Sequence, residues 1–194
     1  MGLSVMIAGL VVFLGAHTFT TQRDARARMI ASTGEGTYKI VYSLVSAIGL
    51  ALIVWGFARY RTTGWIDVWQ PPVAMKHITT ALMLPAVILV VASYIRGRIY
   101  TTLKHPMLAG IKLWAAAHLL ANGDLGSIIL FGAFLAWAVF DRISLKRRSD
   151  PGGPPIPVGG ATNDLIAVAV GVVAYLALAF AFHPAVIGVP VIGA

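Results

Sequence analysis

The chain has 194 residues, of which 58% are hydrophobic and 11% charged, with no cysteine and a formal net charge of +8. A mean hydropathy of +0.83 excludes an ordinary soluble domain and points to a polytopic membrane protein. Disulfides, thiolate metal sites and covalent c-type haem attachment are excluded with the cysteines, and the basic residues, confined to short loops between apolar runs, read as membrane topology rather than nucleic-acid binding.

Six apolar segments follow one another: Leu3 to about Phe19, Ile40 to Phe57, Val73 to Ile95, Pro106 to Ala121, Leu125 to Phe140 and Leu165 to Phe182. About 20 residues span a hydrocarbon core of roughly 30 Å, and in lipid only a helix satisfies its own backbone. The expected fold is therefore all-α, a single bundle of about six transmembrane helices over 1–194, with the fourth and fifth helices short. The opening residues lack a basic n-region and a small-residue cleavage site, so the first segment is expected to be a retained helix.

The connections after the first, third and fifth segments carry Arg23, Arg26, Arg28, Lys39, Arg96, Arg98, Lys104, Arg142, Lys146, Arg147 and Arg148, eleven of the fifteen basic residues. Because cytoplasmic loops collect Lys and Arg, both termini are expected on the far side, the periplasm of a bacterial inner membrane. The first connection, QRDARARMIASTGEGTYK, reads as a short amphipathic or irregular surface segment ending in a Gly34-Glu35-Gly36 turn. The second, RTTGWIDVWQPP, places Trp65 and Trp69 at an interfacial belt. Asn122-Gly123-Asp124 is the tightest turn: Gly123 suits the left-handed conformation that ends one helix and Asp124 caps the next, which predicts that the fourth and fifth helices are antiparallel neighbours. Residues 149–164, with the run DPGGPPIPVGG, have linker composition and predict a loosely tethered last helix.

The chemistry is concentrated in Leu103 to Leu125, where two histidines and two lysines interrupt an apolar stretch. Polar side chains at membrane depth are costly unless paired or wetted, so they are functional candidates. There are five histidines, and His17, His77, His105 and His118 lie in or beside apolar spans, with His183 in the apolar tail. One such histidine is most simply an interhelical hydrogen-bonder. Four of them in a chain without cysteine admit metal or b-type haem ligation, since neutral imidazole is a common ligand. At 1.5 Å per residue, His17 falls roughly 21 Å along the first helix and His118 about 18 Å along the fourth, which proposes an inner pair of His17 with His105 and an outer pair of His77 with His118. His105 and His118 are about 140° apart around their helix and face different cavities. Lys112 reads either as a snorkelling lysine or as a counter-charge for a haem propionate, and Arg23, Arg26 and Arg96 divide between topology and the same role.

KHPMLAGIKLWAAAHLLANGD (Lys104 to Asp124), LFGAFLAWAVFDRISLKRR (Leu130 to Arg148), GEGTYKIVYSLVS (Gly34 to Ser46) and the LGAH near the end of the first helix resemble the NnrU family of bacterial membrane proteins, whose relatives include the 15-cis-ζ-carotene isomerase family. The resemblance implies b-type haem held by histidines, with His17 and His118 in the ligand positions and His105 and His77 as second choices. His17 and His118 meet at one depth if the first helix continues past Phe19 to about Arg28. The resemblance further implies a redox or assembly role in denitrification or nitric oxide metabolism, with membrane partners. The alternatives are a redox-gated isomerase acting on a lipid-soluble polyene and a non-catalytic helical bundle.

Overall fold

A computed structural model describes residues 1–148 and 155–191. The protein is a helical membrane protein: five helices are long and apolar enough to cross a bilayer, and a sixth apolar helix, Pro106–Ala121, is shorter. In chain order the elements are α1 (Gly2–Phe19), α2 (Arg23–Thr33), α3 (Glu35–Thr63), α4 (Val73–Ala92), α5 (Arg98–Leu103), α6 (Pro106–Ala121), α7 (Leu125–Lys146) and α8 (Ala161–Ala177), which runs on as a π-helical stretch, Leu178–Ile187. Large apolar side chains such as Ile40, Leu44, Ile48, Val54, Leu165 and Val173 stand exposed on these helices, as lipid-facing residues must. Two compact units are formed, one from Met1–Gln70 with Asn122–Arg147, the other from Pro71–Ala121 with Arg148–Ala194.

The first unit is built on the packing of α1 against α3, with α7 on α1 and α2 on α3. Glycine allows the α1–α3 approach. A Cβ on Gly9 would lie 2.6 Å from the amide nitrogen of Ile53, one on Gly49 would lie 2.7 Å from that of Phe13, and one on Gly2 or Gly56 would overlap the facing backbone outright. Without a hydrophobic drive between helices in lipid, such backbone contact and the dispersion it allows are what hold a helix pair. The first connection is a regular helix, α2, and not an extension of α1. Thr20 and Thr21 turn their hydroxyls back to the carbonyls of His17 and Thr18, competing with helix propagation, so α1 stops at Phe19. The expected end at about Phe19 holds, the continuation to Arg28 that would have brought His17 deeper is absent, and His17 sits in the last turn of α1. Gly34, at φ 85°, closes α2, and α3 starts there, five residues before the expected boundary.

Asn122-Gly123-Asp124 is organised differently from the expected glycine-terminated helix. Positive φ occurs at Lys104, Gly34 and Gly188, not at Gly123. The carbonyl of Gly123 instead accepts from the amides of Val68 and Trp69 at 2.9 and 3.0 Å, and the amide of Leu125 donates to Ile66 at 2.9 Å. The segment thus pairs antiparallel with the Trp- and Pro-rich connection, Asp67 opposite Asp124. Asp124, 1% exposed, does cap α7: its Oδ1 accepts from the amide of Ser127 at 2.9 Å. With 22 residues, α7 is a full-length span rather than a short one.

In the second unit α4 packs against α6 and α8. Within the units α6 packs on α4 and α7 on α1. Thr79 donates to the carbonyl of Ala117 at 2.7 Å and Tyr175 to that of Thr80 at 3.1 Å, pinning α6 and α8 to one turn of α4. The predicted linker lies outside the described residues over 149–154, and its remainder is anchored. The amide of Gly159 and the Nδ2 of Asn163 both donate to the carbonyl of Arg96, and Asp164 accepts from the amides of Arg98 and Ile99 at 3.0 and 2.9 Å. The first turn of α8 therefore caps the start of α5, which corrects the expectation of a loose tether. Pro184 lies in the π-helical stretch, where a ring without an N–H favours a widened turn, and Gly188 ends it in the left-handed conformation.

Candidate functional site: two histidine centres

Each unit carries a half-buried histidine built the same way. In α1 the Nδ1 of His17 lies 2.7 Å from the carbonyl oxygen of Phe13, one turn earlier. A carbonyl only accepts, so that bond places the ring proton on Nδ1 and leaves Nε2 with the lone pair. The imidazole stacks on Phe13 at 4.2 Å between centroids, meets Tyr42 of α3 at 5.4 Å, and stands edge-on to Trp137 of α7 at 5.6 Å and 89°. The Nε1 of Trp137 is buried with no hydrogen-bond partner, a polar atom that the local fold does not satisfy. Beyond Tyr42, Tyr38 stacks at 6.2 Å and carries the Arg26 guanidinium 5.4 Å above its ring.

In α6 the Nδ1 of His118 lies 2.9 Å from the carbonyl oxygen of Trp114, which fixes the same tautomer. The indole of Trp114 packs at 5.4 Å. The second imidazole of this centre is that of His183, with ring centroids 6.4 Å apart and planes inclined by 33°. His183 comes from the π-helical extension of α8, and its Nδ1 is buried without a hydrogen-bond partner.

The other expected ligands fall elsewhere. His105 joins α5 to α6, its amide donating to Leu103 and its carbonyl accepting from Ala109, so its backbone begins α6. His77 is exposed on the first turn of α4. His17 belongs to the first unit and His105 to the second, so neither unit contains the proposed inner pair. His77 shares the second unit with His118, but the imidazole seated beside His118 is that of His183. Arg96 is engaged by the fold: its Nε donates to Ser93 at 3.2 Å, its NH1 to Ile156 at 3.3 Å, and its guanidinium covers the Tyr100 ring at 4.3 Å. Arg23 opens α2, and Lys112 is half-buried on α6. His183 was set aside in the sequence because it follows the last apolar span. The rule that drew attention to the others, a polar residue inside an apolar helix, applies to it as soon as α8 is seen to continue to Ile187. Among the described residues no cluster of three or more His, Asp or Glu side chains forms a metal cage.

A family model described as NnrU protein matches residues 5–191. The chain belongs to the NnrU family. The match takes in both units of this NnrU protein and all five histidines. Neither a search of curated proteins nor a search of solved structures returned a match.

Proposed function

We propose that this NnrU protein is a haem-b protein of the bacterial inner membrane, with both termini periplasmic, serving nitrogen-oxide metabolism as a redox or assembly component. The observation that supports the reading is the shared state of His17 and His118. Each imidazole is held by an Nδ1–H bond to the carbonyl four residues earlier, the outer bond that sets ring orientation in ligating histidines. Each therefore presents the neutral Nε2 tautomer that iron takes, within an apolar helix. His17 and His118 are each proposed as an axial donor to haem b within its own unit, with Arg23 and Arg26 as counter-charges for the propionates in the first unit and Lys112 in the second. When bound, the group supplies reversible one-electron exchange. The protein's share is to lock the imidazoles through the Phe13 and Trp114 carbonyls and to surround them with aromatic rings, Phe13, Tyr42 and Trp137 about His17 and Trp114 beside His118. Arg96, with its nitrogens on backbone carbonyls, is left out of the propionate role.

Detergent-purified protein expressed with ample haem should show a Soret band that sharpens on dithionite reduction. Replacing His17 or His118 by alanine should shift or abolish it. A colourless wild-type protein would sink the haem reading, and two variants with unchanged spectra would remove both histidines from the ligand set. A polyene isomerase is the second reading, favoured by a second imidazole lying beside His118, because such chemistry needs an iron ligand that can leave. Carbon monoxide binding to the reduced wild-type protein separates that reading from a locked pair.

A further inference from the structure

The two ends of the first unit differ in charge. α1 and α3 are antiparallel, with Gly2 facing Tyr60 and Phe13 facing Gly49. α7 runs in the direction of α1, since Asp124 lies beside Asp67 at one end and Trp137 beside His17 toward the other. α2, the start of α3 and the end of α7 therefore share one end. Residues 20–42 and 141–147 there hold seven basic side chains against three acidic ones, whereas residues 58–70 and 122–126 at the opposite end hold two of each. The basic end begins where the lipid-facing surface stops. Ile40, Val41 and Leu44 of α3 and Val139, Phe140 and Ile143 of α7 are exposed apolar side chains, and within one helical turn outward come Lys39 on α3 and Lys146 on α7. That change from exposed apolar to exposed basic marks the passage from hydrocarbon to headgroups.

α2 supplies an independent observation. It has 11 residues, none of them buried, and no side chain caps its start. A helix this short is marginal in water on its own, so contacts beyond those the unit provides must help to order it. On the α3 side the Arg26 guanidinium lies 5.4 Å from the centroid of the Tyr38 ring. Arg28, two residues on and so about 200° around the helix, stands nearly opposite and is exposed. Arg28, Lys146 and Arg147 are exposed and make no ion pair among the described residues, whereas Lys39 is paired with Glu35 at 2.8 Å. We propose that this end of the first unit docks on anionic phospholipid headgroups, with phosphates of the surrounding leaflet engaging Arg28, Lys146 and Arg147 and stabilising α2 as a helix. The charge calls for an anionic partner, and the place of the cations, at the rim of the lipid-facing band, makes that partner the leaflet itself. Each Lys or Arg at such a surface adds to the attraction. Arg26, turned toward Tyr38, is not part of the surface, and the inference does not rest on the haem reading.

The test uses the full-length protein in nanodiscs, which leave both membrane faces accessible, made either of phosphatidylcholine or of phosphatidylglycerol. Amide hydrogen exchange over residues 23–33 should be at least about tenfold slower in phosphatidylglycerol, while exchange in the middle of α3 is the same in both lipids. Arg28→Gln should cut that protection about fivefold, and Arg28→Gln combined with Lys146→Gln and Arg147→Gln should remove most of it, with α3 still slow. Arg61→Gln, at the opposite end of the unit, is the control and should leave the protection unchanged. Raised salt should weaken the lipid effect, because exposed charges are screened. Equal exchange of α2 in the two lipids overturns the proposal, and so does protection that survives the triple substitution. If inorganic phosphate added to phosphatidylcholine discs protects α2 as well as phosphatidylglycerol does, the ligand is a free anion. If soluble polyglutamate protects α2 and phosphatidylglycerol does not, the surface belongs to an acidic protein. Either result overturns the lipid assignment. The exchange readout is independent of any Soret band, so the haem reading stands or falls separately.

Discussion

The two units solve the same problem, holding helices together in lipid, by different means. In the first, α1 and α3 meet through glycines on both helices, so backbone touches backbone and the seam has no spare volume. In the second, α4 gathers α6 and α8 with hydrogen bonds from Thr79 and Tyr175, and α8 is capped onto α5 by Asn163 and Asp164. Close packing makes the first unit intolerant of added atoms, while polar fastening makes the second sensitive to lost ones. The histidines follow suit. His17 is gripped by aromatic rings from three helices, whereas His118 faces a second imidazole on a widened, irregular helix end. The first imidazole is held within a ring of aromatics, the second stands beside another imidazole at a helix end of different geometry.

The sharpest way to break this contrast is Gly56→Val. Its side chain would collide with the backbone of Met6, and neither helix can withdraw without opening the seam. A loss of roughly 3 kcal/mol or more, at the upper end of overpacking effects, is expected as a lowered thermal midpoint or as failure to yield monodisperse protein. If Gly56→Val melts like the wild type, the seam is not what holds the first unit. Next comes Asp164→Ala, which strips the acceptor from the amides of Arg98 and Ile99. About 1–3 kcal/mol should be lost, and amide exchange at those two positions should rise while exchange in α3 stays slow. Uniform loosening of both units would contradict a local clasp. Thr79→Val removes the buried bond to Ala117 but nearly keeps the volume, and about 1 kcal/mol is expected in an unfolding titration. The smallest effect belongs to Gly15→Ala, where a Cβ would meet nothing within 4 Å. Its stability should stay within about 1 kcal/mol of the wild type, on the stabilising side, and a large loss would show that the tightness of the α1 seam extends beyond Gly2 and Gly9.

Apolar length made the spans legible in the sequence, and Pro106–Ala121 was bounded correctly because Pro and Asn-Gly-Asp punctuate it. Asp124 was legible as a cap for the same local reason. Hydropathy fails where helices continue through polar residues: α3 begins at Glu35 and α7 runs to Lys146, beyond the apolar core of each. It also gives no sign of which helices pack together. The α1–α3 seam is written in Gly2, Gly9, Gly49 and Gly56, spaced by seven on each helix, a register that a composition reading passes over. At the site, His17 and His118 stood out as polar residues in apolar runs, but their shared tautomer lock depends on side-chain rotamers that spacing does not determine. His183 was missed because the π-helical continuation of α8 lies beyond the point where the apolar run was judged to end.

The antiparallel pairing of the Trp- and Pro-rich connection with Asn122-Gly123-Asp124 carries a consequence for how the chain is assembled. The polypeptide leaves the first unit just after Trp69 and re-enters it at Asn122, and those two points are bound to each other by the bonds at Ile66, Val68, Trp69, Gly123 and Leu125. Residues 71–121 therefore form a loop closed at its root. Because the entropy of closing a loop grows only with the logarithm of its length, joining those two anchors across the whole stretch costs the unfolded chain little more than a much shorter closure would, while the stretch itself is held by the packing of α4 on α6 and α8 and by the cap on α5. The clasp fixes where the stretch that bears His118 departs from the first unit and where it returns.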